Sequence, residues 1–217
     1  MGKSIYIVGV IATIAIILLV LFTIKSMEDS RYSQINSELN QLYFQSQLDS
    51  VYSEFSDSNS QLYCSFLLEN IDNTSSRVES IWQSLNSYKE RLLISDYVST
   101  KRNFLVTNIL LLKRIEDAKK DCNYAVKPIV YFYPEDFTCS VECGVTENLL
   151  FQIAKDCNKT MIFPFPLGIN DYRFTDIVAT KYGVREPYAL VINNKKFNYP
   201  QKKDDLLKEL GCFVSTS

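Results

Sequence analysis

From Glu28 to Asp121 the chain runs through ninety-four residues without a proline or a glycine. Proline removes a backbone donor, and glycine costs a helix about 1 kcal/mol, so a stretch that lacks both can be helical throughout. Apolar residues recur there at intervals of three and four: Ile35, Leu39 and Leu42, then Leu48, Val51, Tyr52 and Phe55. That period is the mark of an amphipathic helix. The run Ser56-Asp57-Ser58-Asn59-Ser60 predicts a break. A second helix is expected near 61–72, carrying Leu62, Phe66 and Leu67. Asn73-Thr74-Ser75-Ser76 reads as a loop and N-cap. A third helix carries Val78, Ile81, Trp82, Leu85 and Leu92. A fourth, from about Ser99 to Asp121, carries Phe104, Ile109, Leu112 and Ile115, with apolar side chains on more than one side. The segment reads as a helical bundle that acts as a spacer, or as a module that binds a partner.

Ahead of it, Ile5 to Ile24 is a twenty-residue run without a charge, flanked by Lys3 and Lys25. At about 1.5 Å per residue it would form roughly 30 Å of helix, the thickness of a bilayer's hydrocarbon. The following residues, Thr23 to Ser30, make a poor signal-peptidase site, so the run reads as an uncleaved signal-anchor, a single transmembrane helix. Residues 26–76 hold one base, Arg31, against eight acids (Glu28, Asp29, Glu38, Asp49, Glu54, Asp57, Glu69 and Asp72). This acidity and the even cysteine count favour an N-terminus in the cytoplasm and an extracytoplasmic C-terminal portion. The expectation is a single-pass protein of the cell membrane, with the lipid bilayer as a partner.

The chain has no histidine, and a formal net charge of −2 over 217 residues. Ser-His and Cys-His nucleophiles and histidine-ligated metals are thereby excluded. The near-neutral balance gives no electrostatic case for nucleic acid. No cofactor is called for. Six cysteines are the main chemical resource.

At Lys127-Pro128 the pattern changes. Ile129 to Tyr133 is a short β-branched and aromatic run, expected as a buried strand. A helix is expected from Cys139 to about Cys157, with Val145, Leu149, Leu150, Ile153 and Ala154 on one face. Thr160–Phe165 reads as a second strand. A helix from Asn170 or Asp171 to Tyr182 ends at Gly183. Tyr188–Ile192 is a third strand, and Asn193-Asn194 turns it into a fourth, Lys195–Tyr199. A last helix covers about 201–210 and ends at Gly211. The order is β-α-β-α-β-β-α, which implies a sheet with helices on both faces.

That order, with these residues, resembles the thioredoxin-like superfamily. Three stretches carry the resemblance: the strand Ile129–Tyr133 leading into a two-cysteine helix start, Cys143-Gly144-Val145-Thr146-Glu147-Asn148-Leu149-Leu150-Phe151-Gln152-Ile153-Ala154, and Tyr182-Gly183-Val184-Arg185-Glu186-Pro187 ahead of the hairpin. The resemblance covers about 128–211. It implies an α/β thioredoxin-like domain over 123–217, preceded by the anchor at 1–25 and the helical segment at 26–122. It further implies a membrane-anchored thiol-disulfide oxidoreductase with a redox-active centre. Such an enzyme acts on thiol- or disulfide-containing exported proteins and needs a redox partner protein. By resemblance, Cys139 attacks and Cys143 resolves. Glu186 and Pro187, joined by a cis peptide, lie against the pair and bind substrate backbone.

This chain has Cys139-Ser140-Val141-Glu142-Cys143, with three residues between the cysteines where the family has two. Residues four apart on a helix have Cα atoms about 6.2 Å apart, within bridging range. The helix dipole favours thiolate, whereas Glu135, Asp136, Glu142 and Glu186 oppose it. A static disulfide in a redox-inactive interaction protein is the alternative. A copper(I) carrier is a third reading, since Cys-x-x-x-Cys also occurs in Sco-type copper chaperones, although those add a histidine ligand. In a thioredoxin-like sheet the first and last helices end at one pole, so the resemblance pairs Cys157 with Cys212. Such a bridge would contribute about 4 kcal/mol. Cys64 and Cys122 are then candidates for another structural disulfide. Six cysteines allow fifteen connectivities, and buried thiols are the alternative for all four. Asn73-Thr74-Ser75 and Asn158-Lys159-Thr160 fit the glycosylation sequon.

Overall fold

The computed structural model describes residues 2–55, 61–88, 94–134, 141–168 and 173–212. Helix dominates. α1 (Gly2–Phe55), α2 (Gln61–Tyr88) and α3 (Ile94–Asp121) are 54, 28 and 28 residues long. Each turns a stripe inward at intervals of three and four, although Leu48 and Leu62, expected among the apolar positions, are exposed. Ile35, Leu39 and Leu42 come from α1; Tyr63, Leu67, Ile71, Val78, Ile81 and Leu85 come from α2. α3 is buried over a wider arc, from Phe104 and Leu105 through Leu111, Leu112, Ile115 and Ala118, because it is covered by α1 and α2 and also packs on the sheet. Trp82 stacks on Phe104 with ring centroids 5.3 Å apart. A disulfide between Cys64 and Cys122 ties the start of α2 to the end of α3.

After α3 come β1 (Lys127–Pro134), α4 (Val141–Asp156), β2 (Thr160–Leu167), α5 (Arg173–Lys181), β3 (Ala189–Ile192), β4 (Lys195–Phe197) and α6 (Lys203–Glu209). The sheet order is β2-β1-β3-β4. β1 and β2 are parallel, with Lys127 opposite Thr160 and Pro134 opposite Leu167. β3 runs antiparallel to β1, with Phe132 opposite Ala189, and β4 runs antiparallel to β3. Strand alternation sends Val130, Phe132, Phe163 and Phe165 to the face covered by α3 and α5. Ile129, Tyr131, Leu190 and Ile192 go to the face covered by α4 and α6. One continuous core therefore joins the three long helices to the first face of the sheet.

The ends of α5 and α6 are closed in the same way. Val184 N–H donates to Ala179 O and Gly183 N–H to Thr180 O, with Gly183 at φ +65°. Cys212 N–H likewise donates to Leu207 O and Gly211 N–H to Lys208 O. Both are Schellman caps, in which the left-handed glycine lets the chain fold back on the last turn. The second cap delivers Cys212 to Cys157 at the end of α4, and the two form a disulfide.

Several expectations need correction. The fold class is not that of an α/β chain. The molecule is mostly helical and carries a small mixed sheet of four strands, because the three long helices outweigh strands of eight, eight, four and three residues. The transmembrane anchor is overturned as well: among the described residues, no helix is long and apolar enough to cross a membrane. The uncharged run is the first part of α1, which continues unbroken into polar sequence. The signal-anchor and the single-pass cell-membrane location, with its cytoplasmic N-terminus, fall with it. Asn73–Ser76 is no loop but lies in the middle of α2. The hydroxyls of Ser75 and Ser76 donate to the carbonyls of Asp72 and Asn73, three residues back, and so stay compatible with helix. The break expected at Ser56–Ser60 lies outside the described residues.

Candidate functional site

β1 ends at Pro134, and α4 begins at Val141 at the same end of the sheet. Cys139 lies between them, outside the described residues. Cys143 sits in the first turn of α4, buried, with its sulfur in a disulfide. Thr146, fully buried, donates its hydroxyl to Glu142 O at 2.8 Å, which ties down the same turn. One turn beyond Cys143, Glu147 brings Oε1 to 3.6 Å from the Cys143 sulfur. Desolvation raises the Glu147 carboxyl above the ordinary carboxylate value.

Beneath this turn lies Tyr131 of β1, 3% exposed, whose hydroxyl has no hydrogen-bond partner among the described residues. Its pKa is pushed up, first by burial and then by the negative charges of Glu147 and Tyr188. The Tyr131 and Tyr133 rings lie 5.8 Å apart. The buried Lys101 of α3 holds its ammonium 5.6 Å from the Tyr97 ring centroid and 5.7 Å from that of Tyr133. The arrangement is a sulfur at a helix start, a carboxyl able to take or give a proton beside it, and a buried phenol close by. Glu147 and Tyr131 escape sequence reasoning, although Glu147 stands four residues from Cys143 and strand alternation points Tyr131 toward α4.

Glu186 and Pro187 occupy an exposed turn at this same end of the sheet, because Tyr188 N–H donates to Phe132 O at 2.7 Å. The expected cis bond is not there. Among the described residues, the cis peptide is Tyr199–Pro200, and Glu186–Pro187 is trans. The chain reverses instead with Pro187 followed by Tyr188 at φ +60°, the residue order of a type II turn.

Compared with family models, curated proteins and solved structures, the chain finds no significant match in any of the three. The other cysteines lie far from this end. Cys157 and Cys212 flank Lys127, at the start of β1, and Cys64–Cys122 belongs to the helices. Among the described residues, no group of three His, Cys, Asp or Glu stands close enough to hold a metal ion.

Proposed function

We propose that the chain carries out thiol–disulfide exchange on thiol- or disulfide-containing polypeptides, with Cys143 as its resolving cysteine and Cys139 as the attacking one. The observation that carries this reading is the oxidised Cys143 in the first turn of α4, with Glu147 Oε1 3.6 Å from its sulfur. The helix start favours a thiolate there. A carboxyl raised above its ordinary value by desolvation is a better match to a thiol for proton exchange than an ordinary surface acid. In the reductive direction, the Cys139 thiolate attacks a substrate disulfide and expels one substrate thiol. Cys143 gives its proton to Glu147 and attacks the Cys139 sulfur of the mixed disulfide. That releases the second substrate thiol and leaves Cys139 and Cys143 joined. A redox partner protein restores the dithiol. The resemblance of Cys143–Ala154 to thioredoxin-like sequences supports the assignment.

The test compares two variants on non-reducing gels. Cys143→Ser should accumulate mixed disulfides through Cys139, and Cys139→Ser should accumulate few. The burial of the Cys143 sulfur favours a second reading, a static bridge in an interaction protein. On that reading both variants lose stability alike and neither traps a partner.

A further inference from the structure

At the opposite end of the sheet, the Lys127 ammonium lies 3.1 Å from the Cys212 sulfur and 3.9 Å from the Cys157 sulfur. These sulfurs are its polar side-chain contacts among the described residues. The nearby carboxylate, Asp156, is held by Lys203 at 2.6 Å. Cys157 is 1% exposed, whereas Cys212 is partly open to solvent at the end of α6.

We propose that Cys157–Cys212 is a second thiol-exchange site, at which a low-molecular-weight thiol attacks Cys212 and the Lys127 ammonium receives the leaving thiolate. A thiolate approaches the sulfur it can reach, that of Cys212, and forms a new S–S bond to it. The Cys157–Cys212 bond breaks, and its electron pair leaves on Cys157. A thiolate as buried as Cys157 needs a counter-charge, and Lys127 supplies it. A second thiol then attacks the sulfur of the reagent, forming the reagent disulfide and expelling Cys212 as a thiolate, again beside Lys127. Two reagent thiols are oxidised and one protein disulfide is reduced; the cysteine thiolates take their protons from solvent. A better leaving thiolate departs faster. The Cys64–Cys122 bridge, of nearly the same loop length, provides an internal reference.

The full chain is treated with dithiothreitol under native conditions, quenched at intervals by alkylation and mapped by peptide mass. In the wild-type chain, Cys157–Cys212 should open before Cys64–Cys122. Lys127→Met should slow that opening about tenfold, and Lys127→Arg should keep it within about twofold of wild type. An unchanged rate in Lys127→Met, or both bridges of the wild-type chain opening together, overturns the proposal. A second measurement needs no variant. At equal thiolate concentration, the ratio of the opening rate with 3-mercaptopropionate to that with cysteamine should be larger at Cys157–Cys212 than at Cys64–Cys122, because the ammonium attracts an anionic reagent and repels a cationic one, while the reference bridge cancels the reagents' intrinsic nucleophilicities. Absence of that preference overturns the proposal equally.

Discussion

Replacing Cys64 and Cys122 together with alanine removes a bridge between residues 58 apart, and replacing Cys157 and Cys212 removes one between residues 55 apart. The chain-entropy relation assigns each closure about 4 kcal/mol at 25 °C. The two loops, 64–122 and 157–212, neither nest nor overlap. Closing one leaves the freedom of the other untouched, so the two contributions add, and the quadruple variant should lose about 8 kcal/mol. A domain holds roughly 5–15 kcal/mol in total, so the quadruple variant should be at or near unfolding while each double variant stays folded. Urea unfolding followed through the emission of Trp82, the single tryptophan, gives the measurement, because that ring leaves Phe104 when the core opens. With a slope near 2 kcal/mol per molar urea, each double variant should shift the midpoint by about 2 M. A shift under 0.5 M for either pair, or a quadruple loss well short of the sum, would refute the reasoning from independent loops.

Phe104→Ala, which removes a large ring that is 1% exposed in the helical core, should cost about 3–5 kcal/mol by the same urea assay. Stability should hold up to about pH 10 and fall above it. The folded-state pKa values of Tyr131 and Tyr182 are raised, so their contribution is complete below the unfolded-state value near 10 and is lost as pH rises through the folded one; thermal melts across pH 8–11.5 check this. Glu147→Gln should raise stability slightly at pH 7 and by less near pH 4, since the raised Glu147 carboxyl favours the fold in its protonated form; paired melts at the two pH values decide it. Asn194→Val should cost about 1–2 kcal/mol and Asn194→Gly little, because Asn194 sits at φ +64°, where a β-branched side chain is crowded; urea midpoints report both.

Local features were legible wherever a residue's own chemistry decides its conformation. The β-branched and aromatic run at Ile129–Tyr133 lies inside β1, Asn193-Asn194 turns with positive φ at both residues, and Gly183 and Gly211 cap their helices. The inward stripe Ile35, Leu39, Leu42 follows from spacing alone. What failed depended on partners distant in sequence. Asn73–Ser76 has loop composition, but α1 and α3 hold it helical through buried Thr74 and its neighbours. Taken alone, the apolar run at the start implies an isolated element, whereas it is the first part of a helix that continues into polar sequence. The thioredoxin-like resemblance implies a cis bond at Pro187, yet a left-handed Tyr188 makes the turn. At the site, the helix start bearing Cys143 was legible. The approach of Tyr131 to Glu147 was not, since it requires β1 and α4 to be laid against each other.

α3 is at once a member of the three-helix group and the cover of the sheet's aromatic face. The chain therefore has no internal seam at which it could be divided. A fragment beginning after Cys122 would bare Val130, Phe132, Phe163 and Phe165 to water, an apolar surface that drives self-association. A fragment ending there would leave α3 without the partner that buries its second side. Heat or urea should accordingly melt helices and sheet in a single transition. Damage to the helical half, even far from any cysteine, should then reach the exchange proposed for Cys143 by lowering the population of the whole folded state.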